Sequence, residues 1–472
     1  MVEDDGMEHR NESDQKPEKE ISRRSFVGTV ATAAGITLVP RHVLGGRGFK
    51  APSDKLNIAG VGAGGMGASN IQHCAEAGEN IVALCDVDDD RAAKTFQKYP
   101  ELPKYKDFRK MLDKQKDIDA VIVATPDHAH ALIAMAAMQM GKHVYVQKPL
   151  TRTVGEARKL TEAARKYKVA TQMGNQGQSM DGVRIVSEWI WDGAIGPVRE
   201  CHIFTNRPVW PGQGFGRPKD TQPVPATLDW DLWLAGSPFR PYNRAYCPHD
   251  WRAWRDFGAG ALGDMGCHLM NAPYAALKLK YPIAVQASTA EMCIEPWKRF
   301  VNTETFPMAS VVHYTFPARG DMPEVKIHWY DGGILPERPD ELEPDRPMDF
   351  GDQGGAIIVG ERAKIVCGTY GESPRIIPES KMREYQKPPQ TLKRIRVSHE
   401  QNWIEACKGG EPATSNFDYS GPFAETVVMG NLAVLFPGKK LLWDGENMRI
   451  TNLPEANEYV MAKYREGWSL ES

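Results

Sequence analysis

Cysteine is sparse and unpatterned in this 472-residue chain. Its eight cysteines (Cys74, Cys85, Cys201, Cys247, Cys267, Cys293, Cys367 and Cys407) include no C-x-x-C pair. A zinc site wants tighter ligand spacing and a disulfide scaffold wants a higher density, so neither organises the fold. Buried thiols are the expectation, with one or two disulfides left open should the protein work outside the cytosol. An excess of either charge is also missing: 58 Lys and Arg stand against 61 Asp and Glu, a net charge of −3. Without a basic stripe or tail, nothing draws the chain to nucleic acid or to an acidic membrane. No apolar run reaches the length of a transmembrane helix, and there is no internal repeat or heptad pattern. What remains is a globular composition, 41% hydrophobic and 25% charged. The length exceeds one ordinary core, so two domains with appendages are expected.

Residues 1–20 are almost wholly polar or charged. Ser22-Arg23-Arg24-Ser25-Phe26 then leads into a weakly apolar run, Val27 to Val39, rich in Ala, Gly and Thr. A basic segment before a short apolar one is the layout of an export signal, and the paired arginines resemble a twin-arginine address. A chance Arg-Arg ahead of a disordered tail is the alternative. On the export reading, residues 1–50 are signal and linker, the protein is periplasmic, and the fold begins near Asp54.

Lys55 to Val61 reads as a short apolar strand, followed by Gly62-Ala63-Gly64-Gly65-Met66-Gly67 and a helix-compatible segment, Ala68 to Ala77. Glycine clusters alone make ordinary turns, but strand, G-x-G-x-x-G and helix in this order form a dinucleotide fingerprint. Gly62 permits the tight turn, Gly64 lets backbone approach a pyrophosphate, and Gly67 allows close helix–strand packing. The helix N-terminus, opening at Gly65 and Met66, offers N–H groups to phosphate. Asp86 ends the next apolar run, Ile81 to Cys85, about 20 residues on, where an acid holds the ribose hydroxyls and repels a 2′-phosphate. NAD is therefore expected over NADP; a helix N-cap is the competing role for Asp86. Further strands at 120–124 and 143–146, around a helix at 129–140, imply a doubly wound parallel sheet over residues 54–173, with Tyr167–Met173 its last strand.

Two loops at strand ends, Thr125-Pro126-Asp127-His128-Ala129-His130 and Gln147-Lys148-Pro149, complete a pattern that resembles the Gfo/Idh/MocA family of two-domain oxidoreductases. That family carries T-P-N-x-x-H and E-K-P after the glycine loop, so Asp127 and Gln147 are departures. Gly260 to His268 fits the family's G-x-x-x-D-x-G-x-H. The resemblance implies a catalytic trio of Lys148, Asp264 and His268, with Asp264 and His268 four apart on one helical face. It implies that His268 takes a carbinol proton and that Lys148 stabilises the reacting oxygen. Asp264 would orient the imidazole or bind a hydroxyl. Thr125, Pro126, His130, Gln147 and Asn175 join the glycines, Asp86 and Lys148 as expected cofactor contacts. Taken singly, Lys148 could be a solvent-facing lysine and the Asp264/His268 pair a surface pair; their coincidence carries the reading.

Residues 174–472 are the expected substrate domain, α+β with an open, largely antiparallel sheet. Strands are expected at 284–293, 310–316, 325–330, 356–359 and 364–367, helices at 399–408 and 422–435, and a surface loop at 335–346. Arg207 to Arg255 is dense in aromatics and arginine, which suits a sugar's C–H faces and hydroxyl edges, although aromatics more often fill cores. Gln176, His249 and Trp251 are, with the trio, the substrate candidates. The leading expectation is an NAD-dependent oxidoreductase acting on a sugar or glycoside, with a tightly held, recycled cofactor and no metal. Alternatives are an NAD-dependent glycosidase, working by transient oxidation, elimination, hydration and re-reduction, and a non-catalytic sugar-binding protein. An open sheet pairing face to face would make a homo-oligomer.

Overall fold

A computed structural model describes residues 54–300 and 302–471. The proposed export signal lies outside them. Leu56–Ser472 forms one compact unit.

Six parallel strands form the first sheet: β1 (Asn57–Val61), β2 (Asn80–Cys85), β3 (Lys104–Tyr105), β4 (Ala120–Val123), β5 (His143–Val146) and β6 (Thr171–Met173), in the order β3-β2-β1-β4-β5-β6. Strands covered by helices on both faces read as continuous apolar runs, and β4, Ala-Val-Ile-Val, is buried throughout. The order reverses between β1 and β4, and ligand crevices open at the carboxyl ends of strands at such a reversal. The helix Asp127–Gln139 that follows β4 is buried over nearly its whole length, which explains its lack of a polar face.

The expected strand from Tyr167 is shorter. Tyr167 closes a helix, Val154–Tyr167, opened by a capping box between Thr153 and Glu156 and ended by Lys168 with φ of 53°; only Thr171–Met173 pairs with β5. The capping box and the helix-favouring Ala, Leu, Lys and Arg outweigh the β-branched Val169.

The second sheet has nine strands: β7 (Val198–Thr205), β8 (Ala284–Thr289), β11 (Ser310–Phe316), β12 (Val325–Tyr330), β13 (Gly354–Gly360), β14 (Lys364–Cys367), β15 (Arg375–Ile377), β16 (Lys440–Asp444) and β17 (Arg449–Ile450). Their order is β15-β14-β13-β7-β12-β11-β8-β16-β17. All neighbours are antiparallel except β7 and β12. Alternate side chains of β11 are buried, the mark of a sheet covered on one face. The segment expected as one strand, 284–293, is two: β8 stops at Thr289, and β9 (Met292–Glu295) pairs with β10 (Lys298–Phe300) in a separate hairpin.

A long helix, Phe417–Val434, packs on β8 and β11 and also on the helix Val154–Tyr167. It starts before Pro422 because Asn416 caps it, accepting the N–H of Asp418, and it carries the proline in its second turn. Apolar residues of both sheets meet along it in one continuous core. The stretch 335–346 is irregular as expected, yet Leu342 is buried against Phe204, Ile357, Val366 and Ile377. All eight cysteines are free, and only Cys293 is exposed.

Candidate active site

The glycine loop forms the floor of a cleft enclosing about 1340 Å³, its open mouth included. Gly62 has φ of +84°, and a Cβ there would meet the Ala124 carbonyl oxygen at 2.5 Å. At Gly67 a Cβ would lie 1.8 Å from the Gly62 oxygen, so any side chain would push the helix Met66–Glu76 off the loop. Gly62, Gly64 and Met66 line the cleft. Gly65 is the residue preceding the helix, which aims its first N–H groups at the space where a phosphate would bind.

Asp86 lines the same cleft. One carboxylate oxygen accepts the Ala63 N–H at 2.8 Å and the other the Asp88 N–H at 3.0 Å, and burial raises its pKa against these two hydrogen bonds. The helix N-cap belongs to Asp88, which leaves the remaining lone pairs of Asp86 turned to the cleft. The cradle fits a dinucleotide: loop, helix terminus and ribose acid stand in one wall. Asp86→Ala is expected to erode preference for NAD over NADP by about 10-fold or more, through loss of charge-assisted hydrogen bonds and of repulsion. Unchanged discrimination in steady-state assays with both nucleotides would remove Asp86 from this role.

Thr125, Pro126, Gln147 and Lys148 form the opposite wall. Gln147 is steadied by Asn70, to which it donates at 2.8 Å. His130 is set behind the wall, its ring between the carbonyls of Pro149 at 2.9 Å and Thr125 at 2.8 Å; it braces the two loops and does not line the cleft. Burial pushes its pKa down to about 4. Asp127 heads the buried helix, accepts the Ala259 N–H at 3.0 Å, and is pushed by burial up to about 7 despite Arg252 and Lys148.

Lys148 reaches across from the first sheet to the segment 260–268 of the second half. Its Nζ lies 3.0 Å from Asp264 Oδ1 and 2.5 Å from the Asp264 carbonyl oxygen. Burial opposes ionisation of Asp264, yet Lys148, Arg252 and Arg207 hold its carboxyl well below the usual range. Asp264 and His268 do not share one α-helix. Leu262–Gly266 winds as a π turn and Cys267–Leu269 as the α turn after it, a local widening that recurs at functional sites. Gly263 permits the close fit, since a Cβ there would sit 2.3 Å from that of Ala259.

His268 is buried with its ring edge-on to Tyr370, centroids 4.9 Å apart. Burial, then the Lys148 charge, push its pKa well below the ordinary histidine range, with Asp264 pulling the other way. It is therefore a neutral imidazole at physiological pH. Its Nδ1 is buried without a hydrogen-bond partner among the described residues, a costly state that a ligand hydroxyl or a water would relieve.

The remaining candidates divide. Trp251 is buried and His249 exposed; both line the cleft, and His249 faces Asp250 at 3.1 Å. Asn175 does not line it: its amide donates to Asn271 at 3.3 Å and accepts the Ser415 hydroxyl at 2.5 Å. Gln176 opens the turn Gln176–Ser179, half-exposed. Most aromatics of 207–255 fill a buried cluster around Trp230, Trp233 and Trp254. Sequence reasoning passed over Arg91, Phe108 and Trp468 and marked Arg252 only as a member of the aromatic, arginine-rich stretch; all four also line the cleft. Arg91 sits over Gly65, and Trp468 arrives from the last residues of the chain, so no local motif could have marked it.

Two family models match: residues 56–175 fit the NAD-binding Rossmann fold of the Gfo/Idh/MocA oxidoreductases, and residues 197–302 fit that family's C-terminal alpha/beta domain. These two parts of the chain are thus similar to the two domains of that family, and the cofactor is NAD. Among individual relatives it is similar to inositol 2-dehydrogenase of Salmonella typhimurium, 31% identical over 152 residues, 31% of this chain and 44% of that one. It is also similar to a glycosyl hydrolase family 109 protein of Shewanella pealeana, 30% identical over 193 residues, 35% of this chain and 42% of that one. The chain thus aligns with less than half the length of these curated relatives. In three dimensions it resembles the WlbA dehydrogenase of Bordetella pertussis, solved with NADH and UDP-GlcNAcA, with a TM-score of 0.56 and 16% identity over 83% of this chain and 99% of that one.

Proposed function

We propose that the protein is an NAD-dependent oxidoreductase that oxidises a hydroxyl of a sugar or glycoside. The observation that carries this reading is the meeting of Lys148 from one half with Asp264 from the other, 3.0 Å apart, beside a dinucleotide cradle and an unpartnered neutral imidazole. NAD+, held by the glycine loop and Asp86, would supply the hydride acceptor. His268 takes the hydroxyl proton at its imidazole. The Lys148 ammonium donates to the same oxygen and stabilises the negative charge that develops there, and Asp264 keeps Lys148 aimed. Inositol 2-dehydrogenase, among the relatives, supports the polyol class.

The glycosyl hydrolase family 109 relative supports a second reading, in which the same oxidation acidifies the neighbouring C–H, the aglycone is eliminated, water adds and the carbonyl is reduced again. Incubation with aryl glycosides separates the two. Stoichiometric NADH without aglycone supports the dehydrogenase; aglycone without net NADH supports the glycosidase. Neither product from a broad panel would leave a sugar-binding protein. The Arg23-Arg24 layout supports export to the periplasm, where a freely dissociating nucleotide would be lost, so purified protein is expected to release nucleotide on denaturation. Well-expressed protein free of nucleotide would count against a trapped cofactor. No helix among the described residues is long and apolar enough to cross a membrane. The partly exposed face that β8, β11 and β12 turn away from the core supports a homo-oligomer.

A further inference from the structure

The site holds more positive charge than the proposed chemistry uses. Lys148, Arg207 and Arg252 converge on the single carboxylate of Asp264, at 3.0, 3.4 and 3.4 Å. None of the three has another ion-pair partner among the described residues. Two other acids stand close by. Asp127 is buried and committed to the Ala259 N–H, and Glu372 turns its carboxylate to the Tyr370 N–H and pairs with neither arginine. Three cations thus share one carboxylate in a largely buried place, with side-chain exposures of 17, 18 and 27%. Partly desolvated cations in excess repel one another, and the arrangement gains when an anion joins it.

Two of the three have duties already. Lys148 stands at the reacting oxygen. Arg252 lines the nucleotide cleft, lies 4.1 Å over the Trp251 ring and donates to the His249 carbonyl. Arg207 is left over. It follows β7, and its guanidinium donates to the side-chain oxygens of Asn206 at 2.6 Å and Gln353 at 2.9 Å. Neutral amides orient a guanidinium without cancelling its charge. It meets Asp264 at Oδ2, whereas Lys148 and Arg252 meet Oδ1, and it does not line the nucleotide cleft. An anion bound by Arg207 is therefore not a phosphate of the cofactor. Arg207 and Asp264 both act electrostatically on the Tyr370 phenol, whose ring packs on His268, so an anion held by Arg207 would lie near that imidazole.

We propose that the substrate is an acidic sugar whose oxyanion, a carboxylate or a sulfate or phosphate ester, is bound by Arg207 beside Asp264. The planar fork of Arg matches such groups. This rests on the sugar-oxidising reading above, and two measurements separate the fates of the two ideas. The first uses NAD-saturated protein with inorganic sulfate as probe in thermal unfolding. Sulfate is expected to raise the Tm of the parent and of Arg207→Lys, but not of Arg207→Gln. The second is calorimetric binding, with NADH formation alongside, of glucuronate, galacturonate and mannuronate and of glucose 6-sulfate and 6-phosphate, each against its neutral parent sugar. The best acidic member is expected to bind about 10- to 100-fold more tightly than its parent, the range for one charge-assisted pair. Arg207→Gln is expected to abolish that margin and Arg207→Lys to keep part of it. Preference for the uronates identifies a carboxylate, and preference for the esters identifies sulfate or phosphate. Reduction of NAD by neutral sugars with no acidic preference and no sulfate effect would overturn the anion subsite and leave the oxidoreductase standing. Arg207-dependent binding of acid without any NADH would support the subsite and sink the oxidoreductase. No acidic member binding better than its parent, with sulfate inert, would overturn the subsite whatever the enzyme does.

Discussion

His268→Ala is expected to lower kcat by about 10²- to 10⁴-fold, the usual span for removing a general base, while nucleotide binding stays intact. The imidazole does not line the nucleotide cleft, so a fluorescence titration with NADH should give the parent affinity. The pH profile provides a second, independent check. Burial and the Lys148 charge depress the His268 pKa, so the proton-accepting neutral form persists well below the pH at which an ordinary histidine becomes protonated. The acid limb of kcat against pH is therefore expected below the free-histidine value of about 6.5, with a flat plateau through neutrality. An acid limb centred near 6.5 would mean that another group, or an exposed histidine, takes the proton. Near-normal turnover by His268→Ala would refute the assignment outright.

Asp264→Asn is expected to destabilise the fold strongly. The carboxylate is the only anion paired with Lys148, Arg207 or Arg252 among the described residues, and asparagine keeps its shape while leaving three cations uncompensated. Breaking a buried pair from one side costs on the order of 3–5 kcal/mol. The pH dependence carries a definite sign. Asp264 titrates lower in the folded chain than in the unfolded one, so its contribution is complete above the unfolded value of about 3.9. It is lost as pH falls through the lower folded value. The parent is thus expected to lose this increment only in strong acid, and the difference in Tm between parent and variant should shrink there. A variant as stable as the parent at pH 7 would show that solvent or a bound anion already compensates these cations. Activity should fall as well, because Lys148 loses the partner that aims it.

The groups of this site came from different kinds of information. Lys148 was legible because it closes a strand of a pattern that alternates strand and helix, and such ends face the crevice of a parallel sheet. Asp264 and His268 were legible through the resemblance of Gly260 to His268 to the family's G-x-x-x-D-x-G-x-H, though their backbone is a π turn followed by an α turn. Arg207 and Arg252 stood in the sequence only as members of an aromatic, arginine-rich stretch. Nothing local distinguishes an arginine that meets a carboxylate 57 residues away in the chain from one that meets water. His130 shows the converse: its motif position suggested a cofactor contact, and its ring proved to be spent on two carbonyls of the protein.

The residues alone determined the parallel sheet, the glycine cradle and the acid at the end of β2, because each depends on contacts within a few tens of residues and on steric rules that hold in any fold. A hydrophobic period or a turn that only glycine can make is written locally. Tertiary structure alone decided the charge balance around Asp264, the isolation of the His268 imidazole and the arrival of Trp468 at the nucleotide cleft. Those depend on desolvation and on distances between groups far apart in the chain, and both come into being only when the two sheets close on their common core.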